Sequence, residues 1–168
     1  MTTLPAVDPL IEHMAGELKA RLDVTPSQHP VMIGIRTGGV WVAERLHAAL
    51  GLPDPLGTLD ITFYRDDFSR VGMNPQVHPS HLPFSVDDRD IILVDDVLYT
   101  GRTIRAALNE IFDYGRPASV QLAVLVDRGG RELPIAADVA GTRLQLAEGR
   151  HIKLSGPSPL SLTERTQA

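Results

Sequence analysis

The sequence contains no cysteine. That removes disulfides, thiolate metal sites and any thiol nucleophile from consideration, and it fits a reducing interior. No apolar run approaches the roughly 20 residues that a membrane-spanning helix needs, and the opening Met1-Thr2-Thr3-Leu4-Pro5 lacks a basic patch followed by an apolar stretch. A soluble cytoplasmic chain is the expectation. There is also no broad basic stripe: the net charge is -5, and residues 51–100 hold nine aspartates against three arginines. Bulk electrostatics therefore gives nucleic-acid binding no support, and the acidic middle suits magnesium better. A Walker loop, a Gly-x-Gly-x-x-Gly fingerprint, an internal repeat and a low-complexity tract are all missing. The six histidines show no zinc spacing; His78 and His81 are close, but in a proline-rich stretch.

What is present reads as one α/β domain over residues 1–168, a length that can bury a sizeable core. Leu10, Ile11, Met14, Leu18 and Leu22 recur at helical spacing and predict a first helix ending before Thr25-Pro26. Val31 to Ile35 suits a strand buried on both faces, and Val40 to Leu50 returns to helical spacing, with Trp41 expected in the core or an interface. Leu56 to Tyr64 alternates as a half-buried strand. The 25 residues from Arg65 to Arg89 show no sustained period, which suggests a lid or hairpin. Asp90 to Asp95 is predicted as a buried parallel strand, Thr103 to Tyr114 as a helix closed by Gly115 and Pro117, and Ser119 to Asp127 as another strand. The tail from Ser155, rich in Ser, Pro and Thr, is expected to fray.

The segment richest in chemistry is Ile91 to Thr103. A buried strand runs into Asp95 and Asp96, and Thr100-Gly101-Arg102-Thr103 then enters a helix. Open α/β sheets collect ligands at the carboxyl ends of their strands. A helix start offers N–H groups and partial positive charge to a phosphate, and Gly101 lets the backbone approach closely. Taken singly, Thr103 reads as an N-cap and the two acids as a solvated strand end. Their conjunction points instead to a phosphorylated ligand.

Val94-Asp95-Asp96-Val97-Leu98-Tyr99-Thr100-Gly101-Arg102-Thr103 resembles the signature for phosphoribosyl pyrophosphate (PRPP) of type I phosphoribosyltransferases, in the form carried by bifunctional pyrimidine operon regulators with uracil phosphoribosyltransferase activity. The likeness continues through Gly115-Arg116-Pro117, Val120 to Gly129 and Arg131 to Ile135, and upstream through Leu59 to Asp67. It implies an α/β fold of the type I class: a mainly parallel twisted sheet flanked by helices, with a core over about 28–128, a small hood over about 129–154 together with the N-terminal segment, and the tail at 155–168. It implies transfer of phosphoribosyl from PRPP to uracil, giving UMP and pyrophosphate. Asp95 and Asp96 would bind the ribose hydroxyls and stabilise the charged sugar, with Mg2+ reached mostly through substrate and water. Val97, Leu98, Tyr99, Thr100, Gly101, Arg102 and Thr103 would receive the 5′-phosphate, and Arg36, Thr37, Gly38 and Gly39 the pyrophosphate. Arg65 is implied as catalytic, Asp66 and Asp67 as part of a closing lid, and Val97, Arg128, Val139 and Ala140 as the surroundings of uracil. A homodimer or higher assembly is implied too, without a membrane partner.

Certain positions depart from that pattern. Family members that attenuate transcription carry a basic face for messenger RNA, whereas this chain reads Glu12-His13-Met14-Ala15-Gly16-Glu17 in its first helix. Gly130, Ala136 and Thr142 stand where His, Arg and Lys are usual, while Arg128 and Arg131 remain. Fewer cations mean fewer phosphate contacts, so RNA binding should weaken. Gly39 stands for an arginine often found in the pyrophosphate loop, and Val139 for an aromatic near the base. Two other readings stay open: a UMP- or PRPP-sensing regulator acting through RNA or a protein partner, and transfer to another base such as a purine.

Overall fold

In the computed structural model, residues 3–24, 30–61 and 80–166 are described. Helix α1 (Val7–Val24) buries Val7, Ile11, Met14 and Leu18 along one stripe. Strand β1 (Pro30–Ile35) leads through a short turn into α2 (Gly38–Leu50), and β2 is Gly57–Leu59. Strand β3 (Asp90–Leu98), helix α3 (Arg102–Tyr114) and β4 (Ser119–Asp127) follow, then β5 (Val139–Arg143), β6 (Arg150–Ser155) and β7 (Ser161–Thr166).

The first five strands form one sheet in the order β2-β1-β3-β4-β5, and every pairing is parallel. A parallel sheet needs crossovers that cover its faces, so its strands must be apolar on both sides. Along β3, Ile92 and Val94 pack with α1 and α2, while Ile91 and Leu93 pack with α3. Each fully buried side chain of this size contributes on the order of 2 kcal/mol.

The structure alters four sequence expectations. β2 stops at Leu59, with Asp60 and Ile61 outside it and Thr62 to Tyr64 outside the described residues, because its partner β1 ends at Ile35, opposite Leu59; the Arg36 N–H donates to the Leu59 carbonyl at 2.9 Å and closes the ladder there. β3 runs past the two acids to Leu98, since β4 continues alongside it and pairs Val97 with Val126 and Leu98 with Asp127. The main sheet extends beyond the expected core limit near residue 128, because β5 joins its edge against β4. The tail is not frayed: β7 pairs antiparallel with β6 from Arg150↔Thr166 to Ser155↔Ser161. Leu160 is buried beside it, with Ile152 and Leu154, and Arg150 Nε donates to Glu164 Oε1 at 2.8 Å. The Ser-Pro-Thr composition hid an apolar set that only tertiary packing reveals.

No helix among the described residues is long and apolar enough to cross a membrane.

Candidate active site

The site lies where β3 ends between the starts of two helices. Asp95 is 5% exposed, and its Oδ1 accepts the Asp96 N–H at 2.8 Å. Asp96 is half-buried, and its Oδ1 accepts the Val97 N–H at 2.8 Å. These two bonds brace the strand around the pair. Asp96 Oδ2 reaches across to α2, where a Cβ on Gly38 would fall 2.2 Å from it.

The start of α2 is Arg36-Thr37-Gly38-Gly39. Thr37 occupies the N-cap without a side-chain capping bond, and no acid lies in the first turn. Gly39 is packed on the β3 backbone: a Cβ there would meet the Val94 carbonyl oxygen at 2.7 Å and Asp95 Cα at 3.0 Å. This corrects the reading of Gly39 as the place of an arginine. No side chain fits at 39, whereas the obstacle at 38 is the carboxylate of Asp96, which can rotate.

After β3 the chain turns through Tyr99, Thr100 and Gly101 into α3. Gly101, at φ 95°, is the N-cap, again with no side-chain capping bond and no acid in the first turn. Thr103 is therefore not the cap; Thr100 Oγ1 accepts the Arg102 N–H instead, at 3.2 Å. A cleft of about 100 Å³ is lined here by Asp95, Val97, Leu98, Tyr99, Thr100, Gly101, Thr103 and Ile104. Two helix starts, neither with a side-chain capping bond from its N-cap residue nor an acid in its first turn, thus flank one pair of carboxylates, an arrangement suited to a ligand with phosphates at both ends and hydroxyls between them.

Beside the cleft, Arg131 ties the turn to β4. Its Nη1 donates to the Tyr99 carbonyl at 2.6 Å, its Nε to the Ile135 carbonyl at 2.8 Å, and its Nη2 to Asp127 Oδ1 at 2.6 Å. Burial works to raise the Asp127 carboxyl, but the Arg131 hydrogen bond, the Gly129 N–H and the charges of Arg131 and Arg143 outweigh it and hold the group below its ordinary 3.8. A carboxyl lowered on folding contributes stability above its unfolded value and loses it as pH falls through the folded one. The parent's unfolding midpoint should therefore fall more steeply than that of Asp127→Asn as pH is taken below about 4, measured by urea titration at stepped pH. Parallel slopes would contradict this.

Arg128 and Tyr99 also meet: the guanidinium carbon lies 3.8 Å from the ring centroid, close enough for a cation–π contact. Arg128 Nη1 lies 3.3 Å from His151 Nδ1, on β6. Sequence reasoning missed His151, which comes from a remote strand and carries no motif of its own.

Of the other residues expected near a base, Val97 lines the cleft, whereas Val139 and Ala140 have only backbone groups to offer a ligand. Their side chains are buried in opposite core clusters, because successive residues of β5 alternate across the sheet. Arg65, Asp66 and Asp67, with His78, lie outside the described residues. A larger cleft of about 600 Å³ sits at the opposite, amino-terminal edge of the sheet, lined by residues such as Arg21, Asp90, Gln121 and Asp138. Its charged and amide groups already bond one another, Arg21 to Gln121 at 3.0 Å and to Asp138 at 3.6 Å, so size alone does not make it the site.

No group of three or more metal-ligating side chains occurs among the described residues. The oxygen chemistry of Asp95 and Asp96 suits magnesium only if substrate and water supply most of its ligands, the usual mode for this ion.

The phosphoribosyl transferase domain model matches residues 3–154. The chain belongs to the phosphoribosyltransferase family. It is 63% identical over 159 residues to the Bifunctional protein PyrR of Nitrosococcus oceani, covering 94% of this chain and 90% of that one. It is 55% identical over 163 residues to the Bifunctional protein PyrR of Pseudomonas paraeruginosa, covering 97% and 96%. Within the family the chain therefore sits on the PyrR branch, as its signature residues led us to expect. Among solved structures, a hypoxanthine phosphoribosyltransferase from Trypanosoma cruzi superposes with a TM-score of 0.66 at 21% identity, over 84% of this chain and 80% of that one. One from Staphylococcus aureus gives 0.66 at 18%, over 89% and 80%. These likenesses establish the type I phosphoribosyltransferase fold.

Proposed function

We propose that this phosphoribosyltransferase joins uracil to the ribose phosphate of PRPP, giving UMP and pyrophosphate. The observation that carries the reading is the pair Asp95–Asp96 held between two helix starts that lack acids. The 5′-phosphate would take the N–H groups from Thr100 to Thr103, the pyrophosphate those after Arg36, and the ribose hydroxyls the two carboxylates. Asp96 is the more open acid, while buried Asp95 orients it through the Asp96 N–H. As the C1–O bond to pyrophosphate breaks, positive charge grows on the sugar, and a carboxylate held beside it would stabilise it without a covalent intermediate. Uracil N1 forms the new bond and its proton leaves to solvent or a neighbouring base. Magnesium, when bound with PRPP, neutralises the charge gathering on pyrophosphate. Arg65, Asp66 and Asp67 would belong to a segment that closes over PRPP and excludes water.

The domain division is part of this reading: one domain, with a parallel core and a small β6–β7 sheet as its hood, working in the cytoplasm as a homodimer or larger assembly. With radiolabelled uracil, hypoxanthine and guanine offered in turn with PRPP and magnesium, uracil should be converted fastest. Faster conversion of a purine would replace this assignment with the other base.

A second role, in gene regulation, is supported by the relatives, which are named bifunctional proteins. The loss of cations at Gly130, Ala136 and Thr142 argues for weak RNA binding. Gel shifts with the upstream leader RNA, run with and without UMP, test this directly.

A further inference from the structure

His151 has no part in the chemistry assigned so far, yet it meets Tyr99, which lines the cleft, and Arg128 beside it. Its ring stands edge-on to Tyr99, with centroids 6.4 Å apart and planes at 88°, and its Nδ1 faces Arg128 Nη1 at 3.3 Å. Arg128 in turn covers the Tyr99 ring. The three side chains come from the turn after β3, the end of β4 and the start of β6, so they converge only in the folded chain.

Donor chemistry fixes what this cluster presents. A guanidinium can only donate, so His151 Nδ1 must accept, and the ring proton then resides on Nε2. Among the described residues Nε2 has no hydrogen-bond partner, nor is it a buried orphan. The imidazole is thus pinned as one tautomer with an N–H directed away from Arg128. No carboxylate pairs with Arg128 among the described residues, and its Nε is buried without a partner. The cluster therefore offers donors and positive charge beside an aromatic face, which matches a flat heterocycle rich in carbonyl oxygens.

We propose that His151 is a specificity-determining residue of the base site, its Nε2–H donating to a ring carbonyl of a 2,4-dioxopyrimidine, with Arg128 fixing the tautomer. This rests on the uracil reading above and names how that base is told from its amino analogue. Cytosine would set an amino donor against a fixed donor, a mismatch that costs more than a lost bond because neither group is satisfied.

The test compares His151→Val and His151→Gln with the parent. In His151→Val the KM for uracil should rise about tenfold, with the KM for PRPP unchanged. His151→Gln, whose amide N–H can donate from a similar place, should recover most of the loss. Calorimetry gives a second reading that does not need turnover: UMP should bind more weakly to the Val variant, while ribose 5-phosphate binds as to the parent. Equal weakening of both ligands, or a uracil KM within about twofold of the parent, would overturn the proposal while leaving uracil transfer intact. A parent that makes no UMP but converts a purine would overturn both.

Discussion

Replacing Asp96 by asparagine should lower kcat about 100-fold, which corresponds to about 2.7 kcal/mol of lost transition-state stabilisation, while the dissociation constant for PRPP changes by no more than about threefold. The asymmetry follows from what the substitution keeps. Asparagine retains an oxygen that can accept the Val97 N–H, as Asp96 Oδ1 does at 2.8 Å, so the turn into α3 stays in place. It also retains hydrogen bonding to ribose hydroxyls, which are present in the ground state. Only the negative charge is lost, and that charge matters most when the sugar becomes cationic. Asp95→Asn should behave differently. That side chain is 5% exposed and its Oδ1 orders the Asp96 N–H, so stability and PRPP affinity should both suffer. Rapid-quench measurement of the chemical step, alongside calorimetric PRPP binding, separates the cases. Unchanged turnover in purified Asp96→Asn would remove the carboxylate from the mechanism.

The second large effect concerns two adjacent glycines that should fail in different ways. Alanine at 39 would drive a methyl group to 2.7 Å from the Val94 carbonyl and 3.0 Å from Asp95 Cα. Both are backbone atoms of the central strand, so relief requires α2 to lift from the sheet. The expected cost is about 2–3 kcal/mol, or a fall in Tm of about 6–10 °C for a chain of this size. Alanine at 38 meets Asp96 Oδ2 instead, at 2.2 Å. That carboxylate can rotate, so Tm should shift by less than about 2 °C, but turnover should fall toward that of Asp96→Asn because the acid no longer points where it did. Differential scanning calorimetry paired with initial rates would show the split. Equal melting temperatures for the two variants would mean that α2 is less tightly seated on β3 than these distances imply.

The residues proposed to carry chemistry lie in the most legible stretch. Asp95, Asp96 and the turn that follows are contiguous, and the apolar runs on both sides of them mark buried parallel strands, so local sequence was enough. The same holds for β4, whose bounds at Ser119 and Asp127 match the expectation. What stayed hidden depends on partners far along the chain. β2 is short because β1 ends, and β3 is long because β4 continues, facts of register that no single segment contains. The tail looked disordered because its apolar residues are few, yet Leu160 finds a buried place beside Ile152 and Leu154. Val139 and Ala140 are placed near the base by likeness alone, and with both side chains in the core only their backbone groups could serve there. His151 was set aside for want of metal spacing, although its significance comes from Arg128 and Tyr99.

Gly130 takes its backbone into the left-handed region at φ 78°, and a Cβ there would fall 2.5 Å from the Tyr99 ring. The ring thus occupies the volume that an imidazole at 130 would claim. Rebuilding the missing cationic face by restoring histidine at this position would evict Tyr99 from beneath Arg128. In this backbone a side chain at 130 and the Tyr99 ring compete for one small space, and the ring holds it.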